Sequence, residues 1–187
     1  MKPTDMLRAE HRQIERMLDI LETSTSLASK GASIEARIFE DEVRFLKIFA
    51  DQCHHNKEEK LLFPAMELSG IPREGGPIAV MLSEHEEGRA LVRLLEEAIE
   101  RYSKNNLSAI IQIDKHARAF IELLRGHIYK EDNMLFVMAD EHLSLQDQER
   151  LTAQFESLET SGDACGQKQT LLSMLDRMGT DLNQYVS

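Results

Sequence analysis

Val43-Arg44-Phe45-Leu46-Lys47-Ile48-Phe49-Ala50-Asp51-Gln52-Cys53-His54-His55-Asn56-Lys57-Glu58-Glu59 is the stretch on which the reading of the chain turns. Taken in steps of three or four residues, Val43, Leu46, Ala50, His54 and Glu58 fall on one helical face, an apolar stripe that ends in an imidazole and a carboxylate. Tracing back from His55 instead meets Gln52, Asp51 and Ile48, a mostly polar line. The pattern therefore turns His54 and Glu58 inward. It leaves His55 and Glu59 about 100° further round, at the edge of the buried face, in supporting or surface roles.

The same construction recurs in three other segments. His11 follows Leu7 and precedes Ile14, Leu18 and Leu21. His85 lies in the series Ile78, Met81/Leu82, His85, Gly88, Val92, Leu95, Ile99. His127 and Glu131 continue a stripe of Ile113, Ala117, Phe120 and Leu124, with Met134 and Met138 read as further core filler. Each long amphipathic segment thus carries one inward histidine, and two of those histidines are followed four residues later by an inward glutamate.

Breakers separate the segments: Lys30-Gly31, Ser69-Gly70, the Pro72 to Pro77 loop with Gly75 and Gly76, and Ser103 to Asn106. No Trp, few Gly and Pro, and a 42% apolar share in 187 residues suit one helical domain with a sizeable core. The expected architecture is all-α: an antiparallel up-down-up-down four-helix bundle with additional C-terminal helices. The bundle and a fifth segment, capped by Ser144 and Asp147, take residues 1–160, and a tail with a short helix takes 161–187. A net charge of −11 without a basic run excludes phosphate-backbone binding and suits no anionic membrane. No apolar run approaches the ~20 residues of a membrane span, and no secretory leader is evident. Cys53 and Cys165, far apart and in no CxxC spacing, read as incidental, and a reducing cytoplasm is the simplest home.

Two buried carboxylates cost several kcal/mol each unless a cation neutralises them. No Lys or Arg occupies a matching stripe position, apart from Arg89 at its edge. A pair of metal ions supplies the charge. Four imidazoles and two carboxylates without thiolate suit iron, manganese or zinc and exclude an iron–sulfur cluster. They are too many ligands for one small ion and fit two, bridged by both glutamates.

The segments Glu10-His11-Arg12-Gln13, His54-His55-Asn56-Lys57-Glu58-Glu59-Lys60-Leu61-Leu62-Phe63-Pro64, Ser83-Glu84-His85-Glu86 and His127 to Phe136 resemble the hemerythrin-like (HHE cation-binding) domains. That resemblance implies a di-iron centre with an oxo or hydroxo bridge. His11 and His54 would ligate one iron, His85 and His127 the other, and Glu58 and Glu131 would bridge them. Oxygen-carrying members have a His-x-x-x-His pair in the third helix; here Met81 and Arg89 flank His85, so a fifth histidine is missing and both irons are expected to keep an open position. The resemblance implies a protein that binds or senses oxygen, nitric oxide or peroxide. Its competitors are an oxidoreductase that consumes peroxide or another reactive oxygen or nitrogen species, and an iron-storage protein. The sequence leaves the oligomeric state open.

Overall fold

Pro3 opens the first helix at a position where its missing N–H costs nothing, and the Asp5 carboxylate accepts the Lys2 backbone N–H at 3.0 Å. The computed structural model describes residues 1–185, among which there is no strand. The last two positions of the expected tail, 186–187, lie outside the described residues. The long helices are α1 (Pro3–Ser29), α2 (36–68), α3 (Pro77–Ser103) and α4 (110–142). Two shorter ones come after them, α5 (Leu145–Glu159) and α6 (Lys168–Asp181), with a 3₁₀ turn at Ala164–Gln167 between them.

Cross-helix pairs set the direction of the long helices. Between α2 and α3 the pairs are Lys47–Glu96, Asp51–Arg89 and Glu59–His85; between α1 and α4 they are Thr4–Asp140, His11–Asp132 and Asp19–Arg125. In both sets the numbers rise on one helix as they fall on the other, so these neighbours are antiparallel. The turn after α2 closes on Gly70, whose φ of 95° is in the left-handed region; it allows the Ile71 N–H to reach back to the Met66 carbonyl at 3.0 Å.

The long helices are not uniform. In α2 the backbone widens to π-helical turns at Leu46–His55 and again at Glu58–Leu62, and α4 does the same at Glu131–Leu135. In such a turn the N–H bonds the carbonyl five residues back, which adds a residue to the turn and rotates the remainder of the helix about its axis. The consequence in α4 is direct: Leu135 is buried at 1% exposure, whereas Met134, expected as core filler, is 58% exposed.

The apolar core is divided. One cluster, with Ile14, Leu18, Phe39, Phe49, Leu95, Phe120 and Leu124, fills one end of the bundle, and α6 covers it with Leu171, Met174, Leu175 and Met178. The other, with Leu7, Phe63, Met66, Ile78 and Phe136, fills the opposite end beneath Leu151 and Phe155 of α5. Ser144 caps α5, its Oγ accepting the Asp147 N–H at 3.1 Å. The reading of the cysteines is corrected: Cys53 and Cys165 form a disulfide across a sequence separation of 112 residues. The pairing depends on the 3₁₀ turn before α6 folding back onto α2, which no spacing rule reveals.

Glu42 of α2 lies within the larger core, fully buried, with no hydrogen-bond partner on either carboxylate oxygen. Burial pushes its pKa from 4.5 up to about 8, and the nearby Ser24 hydroxyl offsets only part of that rise. An acid whose pKa is raised by folding binds more protons folded than unfolded, so its contribution to stability declines as pH rises from 4.5 through 8. Glu42→Gln should therefore be more stable than the parent by several kcal/mol above pH 8, with the difference shrinking towards pH 5. Thermal melts of both proteins across this range check it; a pH-independent difference would refute it.

Candidate metal centre

Between the two apolar clusters the four long helices direct their histidines and two glutamates to one point. His11, His54, Glu58, His85, His127 and Glu131 are each at most 1% exposed, so all six residues expected from the stripes are brought together. They fall into two groups, within each of which ligand atoms lie within 4.8 Å of one another. One comprises His11, His54, Glu58 and Glu131; the other comprises His55, Glu58, His85 and His127.

His55 is the correction. The α-helical register put it at the edge of the buried face, yet it is 7% exposed and its ring stacks on His85, centroids 3.8 Å apart. The physical reason is the π-helical stretch that ends at His55. A wider turn advances each residue by a smaller angle, so His54 and His55 both stay on the inner face beside Glu58. The imidazoles therefore divide two and three between the groups, with His55 from α2 beside His85 and His127.

The glutamates join the halves. Glu58 Oε1 is 3.3 Å from His54 Nε2, and its Oε2 is 3.5 Å from His85 Nε2. Glu131 Oε2 is 3.2 Å from both His11 Nε2 and His127 Nε2.

Four of the five rings are also held from behind by a carboxylate, the exception being His55, whose Nδ1 has no hydrogen-bond partner. His11 Nδ1–H donates to Asp132 at 2.7 Å, His54 Nδ1–H to Glu10 at 3.0 Å, His85 Nδ1–H to Glu59 at 2.7 Å and His127 Nδ1–H to Glu84 at 2.9 Å. Asp51 stands 3.5 Å from His55 Nδ1. A carboxylate only accepts, so the proton sits on Nδ1 and the Nε2 lone pair of a neutral ring faces inward, the arrangement that fixes a metal-binding imidazole. Glu10, Glu84, Asp51 and Asp132 lie off the apolar stripes, so periodicity did not single them out. Glu59 was expected in a supporting role, and it does hold His85 together with Arg89. The fully buried Lys57, whose Nζ lies 2.6 Å from Glu10, also escaped the sequence pattern.

A metal fits this cage on the cage's own geometry. His11 Nε2 and both oxygens of Glu58 and of Glu131 are buried without a hydrogen-bond partner. His85 Nε2 and His127 Nε2 face one another at 3.1 Å. Two lone pairs at that distance repel unless a proton or cation lies between them. Bonds of roughly 2.1 Å meeting at right angles give ligand separations of about 3 Å, the spacing found here. Without metal the cage captures protons instead. Burial alone would depress the His54 and His127 imidazoles, but Glu58 and Glu10 around His54, and Glu131 and Glu84 around His127, push both up to about 10. Burial and the neighbouring His85 hold His55 well below its ordinary value.

An all-α bundle with an interior cage of imidazoles and bridging carboxylates defines a metal-binding helical protein. The family model for the hemerythrin HHE cation binding domain matches residues 2–139, and the chain belongs to that family. No curated protein sequence matches the chain closely enough to refine this.

The cage makes two outcomes measurable. His55→Ala should lower the metal content by about one ion per chain, as His85→Ala should, when loaded protein is analysed for metal after desalting; full content in His55→Ala would return that residue to the edge of the face. Loading must also expel the protons on His54 and His127, whose pKa values of about 10 keep them protonated at neutral pH. Apparent affinity should therefore rise with pH between 6 and 9, by roughly tenfold per unit for each proton displaced. A chelator competition series measures it, and a flat profile would contradict the protonation assigned to the empty cage.

Proposed function

We propose that the chain holds two iron ions at this cage, bridged by Glu58, Glu131 and an oxo or hydroxo group, and uses them to bind or sense a small diatomic or reactive species: oxygen, nitric oxide or peroxide. The observation that carries this reading is the unequal division of imidazoles. His55, His85 and His127 share one group with Glu58, and His11 and His54 share the other with both glutamates. With iron bound, three imidazoles at one position and two at the other would leave the second more open to a small ligand. Manganese or zinc would satisfy the same donors; reversible binding of oxygen requires a metal that changes oxidation state, which iron supplies.

The chain's own residues account for the rest. Asp132 and Glu10 hold the His11 and His54 rings by their Nδ1 protons, so neither ring rotates away when a ligand arrives. Phe136 lies parallel to the His11 ring, centroids 5.3 Å apart, and Leu7 is fully buried in the same cluster. These apolar side chains would keep bulk water away from the His11 ring.

The optical spectrum of iron-loaded protein, reduced without air and then exposed in turn to oxygen, nitric oxide and peroxide, tests the proposal. A new charge-transfer band on oxygenation that disappears when oxygen is swept away is the expected result. Continuous loss of added peroxide under turnover would make the protein an oxidoreductase instead. No spectral response to any of the three would leave storage as the role.

A further inference from the structure

Residues beyond the family-matched region reach the metal cage by two connections. The first is covalent: Cys53, the immediate neighbour of His54, is bonded to Cys165 in the 3₁₀ turn before α6. The second is ionic. Glu10, whose Oε2 holds the His54 ring, turns its Oε1 to Lys57 Nζ at 2.6 Å and to Lys168 Nζ at 3.0 Å. Both lysines share Glu159 Oε1, at 2.9 and 2.5 Å. Lys57 lies 5.6 Å from the centre of the Phe155 ring. Glu159 ends α5 and Lys168 begins α6, so the C-terminal helices supply half of the charges that fix Glu10.

The two connections depend on one another. Lys168 follows Cys165 by a single tight turn, closed at Gly166, where a Cβ would lie 1.9 Å from the Ser161 carbonyl oxygen; only glycine is compatible with that approach. With the disulfide formed, this turn is pinned to α2 and Lys168 is delivered to Glu10. With the disulfide open, the turn keeps only packing, the Gly166 N–H to Asp163 carbonyl bond and the Lys168 ion pairs, next to the exposed Gly162-Asp163 linker, a part of the chain able to open locally. Glu10 then keeps Lys57 but loses a fixed second cation, and its hold on His54 weakens. The carboxylates beside His55, His85 and His127 come from α2 and α3, outside the network of Glu10, Lys57, Glu159 and Lys168.

We infer that the Cys53–Cys165 pair is a redox-responsive modification site whose state sets the grip of the His11–His54 half of the cage on its metal, an inference that rests on the two-metal reading above. The step balances as thiol–disulfide exchange. A dithiol reductant gives two electrons and two protons, the bond between Cys53 and Cys165 breaks to two thiols, and the reductant closes to its own disulfide. Both sulfurs are buried, at 2% and 3% exposure, so exchange proceeds through the opening of the Ser161–Gly166 turn. Reduction would loosen the site and an oxidant would tighten it.

The test uses the full chain loaded anaerobically with ferrous iron, as the disulfide form, after dithiol reduction, and as Cys165→Ser. Thiols are counted under denaturing conditions, and iron retention is followed against a chromophoric ferrous chelator. The disulfide form should show no free thiol and hold two ions. The reduced form and Cys165→Ser should lose one of the two with an affinity about 10- to 100-fold lower, the usual effect of losing a group that orients a ligand. Lys168→Met, which leaves the disulfide intact, should show the same selective loss. Two ions held equally in every form would overturn the switch and leave the two-metal reading standing. Two free thiols in air-oxidised protein would also overturn it. Fewer than two ions in the disulfide form would refute the two-metal reading, and the switch with it.

Discussion

Glu58 and Glu131 are wholly buried at the middle of the bundle, surrounded by imidazoles and by no fixed cation among the described residues. Such a pair is intolerable in a low-dielectric interior unless charge comes from elsewhere. The rest of the architecture answers that constraint. Four helices each deliver at least one imidazole, and the apolar core splits into two clusters above and below the polar layer. His11, His54, His85 and His127 are in turn backed by carboxylates. That backing makes the cage a preformed anionic trap: in the empty protein it gathers protons on His54 and His127, and in the loaded protein it would gather metal.

The backbone adapts where the cage demands it. Regular α-helix turns consecutive residues 100° apart and would send His54 and His55 to different environments. The π-helical turns of α2 narrow that separation, and a matching stretch in α4 begins at Glu131. Wide turns are costly in a helix interior and recur at functional sites. Here they lie on the segments that carry five of the seven cage residues: His54, His55, Glu58, Glu131 and, at the approach to the α4 turn, His127. The two-and-three division of the imidazoles is thus a property of the α2 backbone.

Much of this was legible in the sequence. The stripes of α1, α2 up to Glu58, α3 and α4 up to Glu131 have clear 3.6-residue periodicity, and His11, His54, His85, His127 and both glutamates emerge from it. His55 and Met134 did not, for one shared reason: each lies in or directly beside a π-helical turn, where periodicity assumes a rotation that the backbone does not make. Lys57 and Glu10 were invisible for another reason. Each is a charged residue on an otherwise ordinary helix, and only the packing of α5 and α6 against that surface buries them. The Cys53–Cys165 bond shares this origin, since its partners meet through the fold of the C-terminal region.

The central claim is that the cage has two unequal halves, with His55 as a ligand of the fuller one. Anomalous diffraction at the iron edge, from crystals of anaerobically iron-loaded protein, measures this most directly. Two peaks of density bridged by Glu58 and Glu131 are predicted, one against His11 and His54 and the other against His55, His85 and His127. A single peak, or two peaks with the His55 ring turned away from both, would contradict the claim.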